Sequence, residues 1–376
     1  MSLTPQEKQQ FLNSCKQANQ QTYSSSFSIA TFGSSGCGKS VALTAMMATL
    51  LKNNIVQIDL EESKKREIQS NYQQLCETGQ VPPTTAFSQW SFGVFSNERR
   101  THLLDCTIYD YRGGSSELQN FLSNQTKDFD QGFNFLCSSS AVFVFADAKE
   151  FHCNKERVLL NLNFIRETIQ LSLNKVPRTL QVILILTKVD TVGITSTLGV
   201  RNWDITALQH LCSEVFSKTF LPLKNNNKSV NIDMLPVSAL GMSKFDNAGR
   251  ISWRFRKKPK DLQSFQVTAP LLLFFDMIFS FMSEQFPKEE KLLLEQLKKN
   301  SEMKAAAHSS YLKTKLSPMT SYSVDRRKAL QERKRTFLHY KSLCDMNRHS
   351  LDALKRKNKV IASITSSCGL IHKVSL

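Results

Sequence analysis

The sequence predicts an α/β protein built on a doubly wound, mostly parallel β-sheet and followed by an α-helical appendage. Three observations carry this. A short alternating stretch, "SSFSIATFG", runs into a glycine-rich loop and then into the helix-forming "KSVALTAMMATLLKNN". Two almost wholly apolar, β-branched runs, "SSSAVFVFADA" and "RTLQVILILTKVD", have the texture of strands buried on both faces of a parallel sheet. Finally, charge is distributed unevenly. Residues 1–284 hold 29 Lys and Arg against 24 Asp and Glu, whereas residues 285–376 hold 20 against 8. Most of the net +17 therefore sits in the last quarter, which reads as a separate module.

The organisation expected is a polar N-terminal extension (1–23), an α/β domain (24–284) and a basic, coiled-coil-like helical region (285–376). With 376 residues, 41% hydrophobic and 22% charged, the chain has enough apolar material for a sizeable core. Its nine cysteines show no paired spacing of the zinc or redox kind and read as buried thiols in a reducing compartment. The N-terminus lacks the apolar stretch of a signal peptide. The longest apolar run, Ala269 to Met282, is interrupted by Asp276 and falls short of the roughly 20 residues that span a bilayer. A buried helix is expected there, with no transmembrane segment. A cytoplasmic location follows, with a peripheral position at a membrane surface also compatible with the basicity.

In order, residues 1–21 read as a short polar helix, and Ser25 to Gly33 as the first strand with its helix behind the loop. A helix carrying Ile68, Tyr72 and Leu75 on one face then closes at Gly79, Pro82 and Pro83. Phe87–Phe95 and Thr101–Tyr111 read as a hairpin joined by "SNERR". The apolar strands 138–148 and 178–190 follow, with helices at roughly 118–136, 154–174 and 204–219 around them. Val230–Leu240 is the last strand. Beyond Gln285, two long charged helices flank "SPMT". Leu330, Phe337, Leu343 and Leu351 give an approximate apolar stripe suited to a helical hairpin.

Four motifs carry chemistry. Gly33 to Ser40, "GSSGCGKS", fits Gly-x-x-x-x-Gly-Lys-Ser. Its glycines let backbone N–H groups converge on phosphate oxygens at a helix N-terminus. Lys39 would reach the β- and γ-phosphates and Ser40 would ligate Mg²⁺. Ser34, Ser35, Gly36, Cys37, Gly38 and Val41 complete this segment. Asp110 ends an apolar strand in "DYRG", where a Mg²⁺ site needs a carboxylate, and the Gly113 N–H follows to approach a γ-phosphate. Thr187, Lys188 and Asp190 form "TKVD" at a buried strand end. A carboxylate there accepts from the N1–H and amine of guanine, for which adenine offers no matching donors. Ser238, Ala239 and Leu240 form "SAL", with the Ala239 N–H directed to guanine O6.

In this order, and each at a strand end, these four elements resemble the P-loop GTPases of the translation-factor and Ras-like class. The wide spacing between the first two, with "PPTT" inserted, resembles the bacterial double-GTPase-like group. The resemblance implies a switch threonine coordinating Mg²⁺ at Thr84 or Thr85, with Thr85 preferred. It also implies GTP/GDP and Mg²⁺ as ligands, and a protein partner at the switch segments. In many such GTPases a Gln follows Asp-x-x-Gly and orients the attacking water. Here the residue is Gly114, so hydrolysis is expected to be slow or partner-assisted. Arg112 reads as a solvated or structural arginine.

Two other readings stand beside this one. A non-hydrolysing nucleotide-bound scaffold is favoured by Gly114, and an ATP-dependent P-loop protein is opposed by Asp190. "RFRKKPK" (Arg254 to Lys260) and residues 324–359 are basic enough to meet acidic lipid, nucleic acid or an acidic protein.

Overall fold

The computed structural model describes residues 26–52, 56–82, 88–96, 102–110, 127–197, 200–227, 229–241, 264–316 and 324–367. The chain divides into two compact units, one running to Asp276 and the other covering Met277–Ser366. The first is an α/β unit around a seven-stranded sheet. In chain order its strands are β1 (Ser26–Gly33), β2 (Val56–Leu60), β3 (Ser88–Ser96), β4 (His102–Asp110), β5 (Ala141–Asp147), β6 (Leu180–Thr187) and β9 (Val230–Pro236). In space they lie β2-β3-β4-β1-β5-β6-β9. β1 pairs in parallel with β4 on one side and β5 on the other, and β5–β6 and β6–β9 are also parallel. β2–β3 and β3–β4 are antiparallel. The doubly wound, mostly parallel sheet and the C-terminal helices are therefore as the sequence predicts.

The helices are α1 (Lys39–Leu50), α2 (Glu62–Thr78), α3 (Lys127–Ser138), α4 (Ala148–Cys153), α5 (Lys155–Lys175), α6 (Ile205–Thr219) and α7 (Leu221–Asn226). Every residue of β5 and β6 is buried, as continuous apolar runs require in a sheet covered on both faces. Val142, Val144, Val182 and Leu184 pack with Leu162 and Ile169 of α5 and Phe220 in one core.

Several elements escaped the sequence reading. β2 alternates strictly, with Val56, Ile58 and Leu60 buried and Gln57 and Asp59 exposed, as befits an edge strand. A second, two-stranded sheet pairs β7 (Ile194–Thr197) with β8 (Val200–Trp203). The extension 1–23, the loop between β3 and β4, and "RFRKKPK" lie outside the described residues.

Two long helices end the described chain, α8 (Ala269–Leu316) and α9 (Val324–Ser367). α8 starts earlier than the change of charge at 285. The run from Ala269 is its opening, with Leu271, Phe274 and Phe275 buried and Phe274 edge-on to Phe27 of β1. By length and composition α8 could cross a membrane, but 56% of its apolar stretch is buried within the molecule. Among the described residues, five of the seven cysteines are buried free thiols, Cys137 is half-buried and Cys153 is exposed.

Candidate functional site

The site forms at the C-terminal end of β1, where the sheet runs on to β4 in one direction and to β5 in the other. An open α/β sheet leaves a crevice at such a point. Gly33 closes β1, and a Cβ there would stand 2.7 Å from Cys37 Sγ and 3.0 Å from the Phe145 carbonyl. Only glycine lets the loop fold back this tightly. Gly36 and Gly38 have φ of 76° and 86°, in the left-handed region, and Gly38 is the N-cap of α1. No acidic residue occupies the first turn of α1, so the positive end of the helix faces the loop uncompensated.

Lys39 opens α1 and is only 5% exposed. Its Nζ lies 2.9 Å from Asp110 Oδ1 at the end of β4. The approach is ionic but off-angle, and the ammonium makes no hydrogen bond among the described residues. Asp110, itself 1% exposed, is reached by Thr31 Oγ1 at 3.3 Å from the neighbouring strand. Strand register accounts for this, since Thr31 lies opposite Asp110. A buried cation with unused donors beside a buried carboxylate, at a helix N-terminus, suits a phosphate and its divalent metal. Ser40 follows directly in the chain.

The second half of the site is bonded to the first. The Thr187 hydroxyl donates to the Cys37 carbonyl and lies 3.0 Å from that of Ala146. Lys188, in the left-handed conformation at φ 55°, sends Nζ to the Gly36 carbonyl at 2.6 Å and to Asp147 Oδ2 at 2.6 Å. Its aliphatic stem thus lies across the floor between loop and turn. Asp190 sits in the following short 3-10 turn and accepts from the Ser238 hydroxyl. Burial pushes the Asp190 carboxyl above its ordinary range, while the Ser238 bond acts in the opposite direction. Ser238 is fully buried, and its hydroxyl also accepts the Gly241 N–H at 2.8 Å. It pairs with Phe265 through two backbone bonds of 3.0 and 2.8 Å. Ala239, from the same loop, accepts the Ser264 hydroxyl at 2.6 Å. Phe265 in turn stacks on Trp203 with ring centroids 4.3 Å apart.

The structure therefore brings Gly33–Ser40, Asp110, Thr187, Lys188, Asp190 and Ser238 to one end of the sheet. Thr84, Thr85, Arg112, Gly113 and Gly114 lie outside the described residues. The sequence reading missed Asp147. It ends β5, pairs with Lys188 and caps α4 by accepting the Glu150 N–H at 3.0 Å. Its signal was present, as a lone carboxylate closing an apolar strand beside β1. Cys37 is buried, with its thiol pushed up to about 11 by desolvation, so it is a packing residue of the loop. Among the described residues, no cluster of three or more His, Cys, Asp and Glu could hold a metal by itself.

No family model matches the chain, and neither does any curated relative. Solved structures similar to it include the signal recognition particle receptor SRb-GTP/SRX complex from Chaetomium thermophilum (16% identity, 58% of this chain and 93% of that one, TM-score 0.32). Another is the chloroplast translocon pair atToc33 and psToc159 (12% identity, 73% and 91%, TM-score 0.34). A third is Toc33 from Arabidopsis thaliana in complex with Mg²⁺ and GMPPNP (11%, 68% and 88%, TM-score 0.30). Likeness at this level carries no assignment of activity or partner.

Proposed function

We propose that the chain is a Mg²⁺-dependent GTP-binding switch protein with slow or partner-assisted hydrolysis to GDP and phosphate. One observation carries this reading. Thr187 and Lys188 of the base-side turn are bonded directly to carbonyls of the glycine loop, so the phosphate cradle and the Asp190 carboxylate form a single site. In it, the loop N–H groups and Lys39 hold the β- and γ-phosphates, and Asp190 accepts from the guanine N1–H and amine with the Lys188 stem along the ring. Mg²⁺, held by Ser40, Thr85 and Asp110, would supply charge compensation at the phosphate oxygens. Thr85 and Gly113 would order the two switch segments while the γ-phosphate is present, and a protein partner would read that order. Lys39 and the loop amides stabilise the charge that develops as water attacks the γ-phosphate.

A second reading keeps the nucleotide without cleaving it, and Gly114 favours it, since glycine has no side chain to orient water. Binding of labelled GTP, GDP and ATP with Mg²⁺, followed by single-turnover hydrolysis, separates these readings. Guanine selectivity with slow turnover supports the switch, and tight GTP binding without turnover leaves the scaffold. A preference for ATP overturns both. As a check on the base-reading residue, Asp190→Asn is expected to move preference towards xanthine nucleotides; unchanged guanine affinity would remove Asp190 from that role.

A further inference from the structure

The second unit carries a surface that nucleotide binding does not use. Between Met277 and Ser366, α8 and α9 run antiparallel. Lys355 meets Glu290 at 3.3 Å, His308 packs on Phe337 with rings 4.8 Å apart, and Arg333 reaches Ser310 and Thr314. The seam on α9 follows Leu330, Phe337, Cys344 and Leu351 at seven-residue spacing, with Cys344 1% exposed beside the half-buried Leu343. Beside this seam runs a second line of equal period: Arg327, Lys334, Lys341, Arg348 and Lys355, all exposed. Lys328, Arg335, Arg356 and Lys359 widen it on the outer face. Over α9 as a whole, twelve Lys and Arg stand against four Asp and Glu. Lys334 and Lys341 form no ion pair among the described residues, and Arg348 has only Asp345 at 3.9 Å.

At 1.5 Å per residue the five cations span about 42 Å along the helix, one charge every ~10.5 Å, in a row that drifts round α9 by about 20° per seven residues. That spacing exceeds a Debye length of ~8 Å at physiological salt, so the row costs little in self-repulsion, and Lys334, Lys341 and Arg348 at its centre are placed to meet a continuous anion. One feature selects among anions: Leu338 is 48% exposed within one turn of Lys334, Arg335 and Lys341. An apolar side chain among cations gains nothing from phosphodiesters, but it can enter the headgroup boundary of a bilayer.

We propose that this face of α9 docks the protein peripherally on a membrane rich in anionic lipid. The test uses full-length protein sedimented with vesicles of phosphatidylcholine alone or with about one third phosphatidylserine. Binding is expected only to the anionic vesicles. The triple variant Lys334→Glu, Lys341→Glu, Arg348→Glu should weaken it by more than about tenfold. A variant of equal charge change on the α/β unit, Arg66→Glu, Lys175→Glu, Lys218→Glu, should bind as the wild type does. Leu338→Ser should weaken vesicle binding without altering the salt dependence. Circular dichroism and GDP binding confirm that each variant is folded. Equal loss in both triple variants reduces the effect to net charge and overturns the proposal, as does absence of binding to anionic vesicles. Displacement of the vesicles by duplex nucleic acid, with Leu338→Ser neutral, assigns the face to nucleic acid instead.

Discussion

Lys39 and Asp110 each make the other's burial tolerable. Removing one partner of a buried pair leaves an uncompensated charge and costs about 3–5 kcal/mol. Lys39→Met should therefore lower stability to denaturant by about that amount and abolish GTP binding. Adding Asp110→Leu should restore most of the stability and none of the binding, which separates folding from ligation. At Asp190 the expectation concerns pH. The guanine-reading role proposed for Asp190 needs the carboxylate ionised, and burial has raised its pKa. As pH falls, the GDP-to-ADP affinity ratio should decline from a higher pH than an ordinary carboxylate would give. ADP controls for titration of the shared phosphates, so a flat ratio would show Asp190 uninvolved. Gly33→Ala forces a Cβ to 2.7 Å from Cys37 Sγ, and overpacking of this kind costs about 1–3 kcal/mol.

Between elements, Arg178 acts as a buried joint. Its guanidinium donates to the carbonyls of Leu136 at 2.6 Å, Val176 at 3.1 Å, and Ser139 and Ser172 at 3.3 Å each. It thereby closes the ends of α3 and α5 at the entry to β6. In Arg178→Met the carbonyls of Leu136 and Ser172 keep the N–H groups of Ser139 and Val176, so the loss should be about 1–3 kcal/mol in all and lower the thermal midpoint by several degrees without changing guanine selectivity. Nothing in the sequence singled out this arginine, because its acceptors are backbone atoms from segments up to 42 residues away. The same limit hid Asp147, whose partner Lys188 becomes a neighbour only when β5 and β6 pair. By contrast, β5 and β6 were legible because burial on both faces writes itself as continuous apolar sequence. "TKVD" was legible because it closes such a run. β2 was not, since an edge strand buries only three of its five residues and Gln57 and Asp59 interrupt it. On α9 the stripe was legible but Cys344, buried beside the half-buried Leu343, was not, because cysteine is small and does not advertise a seam.

For the whole molecule, the division into two compact units predicts two unfolding events. A ligand at one hundred times its Kd adds about 2.7 kcal/mol to the unit that binds it. Calorimetry with GDP should raise the α/β transition and leave that of the helical pair in place; a single transition that shifts as one would show the units to be cooperative. The Ser238–Phe265 bridge has a further consequence. The loop that flanks the Asp190 carboxylate shares two backbone bonds with the residues leading into α8, where the Ala269 N–H bonds back to Gln266 at 3.0 Å. If Asp190 holds the base as proposed, occupying it should also tighten the root of that helix, which makes the Phe265 amide a gauge of the base. Its proton should exchange with solvent more slowly when GDP is bound and at an unaltered rate with pyrophosphate, which fills only the cradle. By reciprocity, slower exchange with GDP would mean that whatever pulls Phe265 away from Ser238 weakens guanine binding by the same factor.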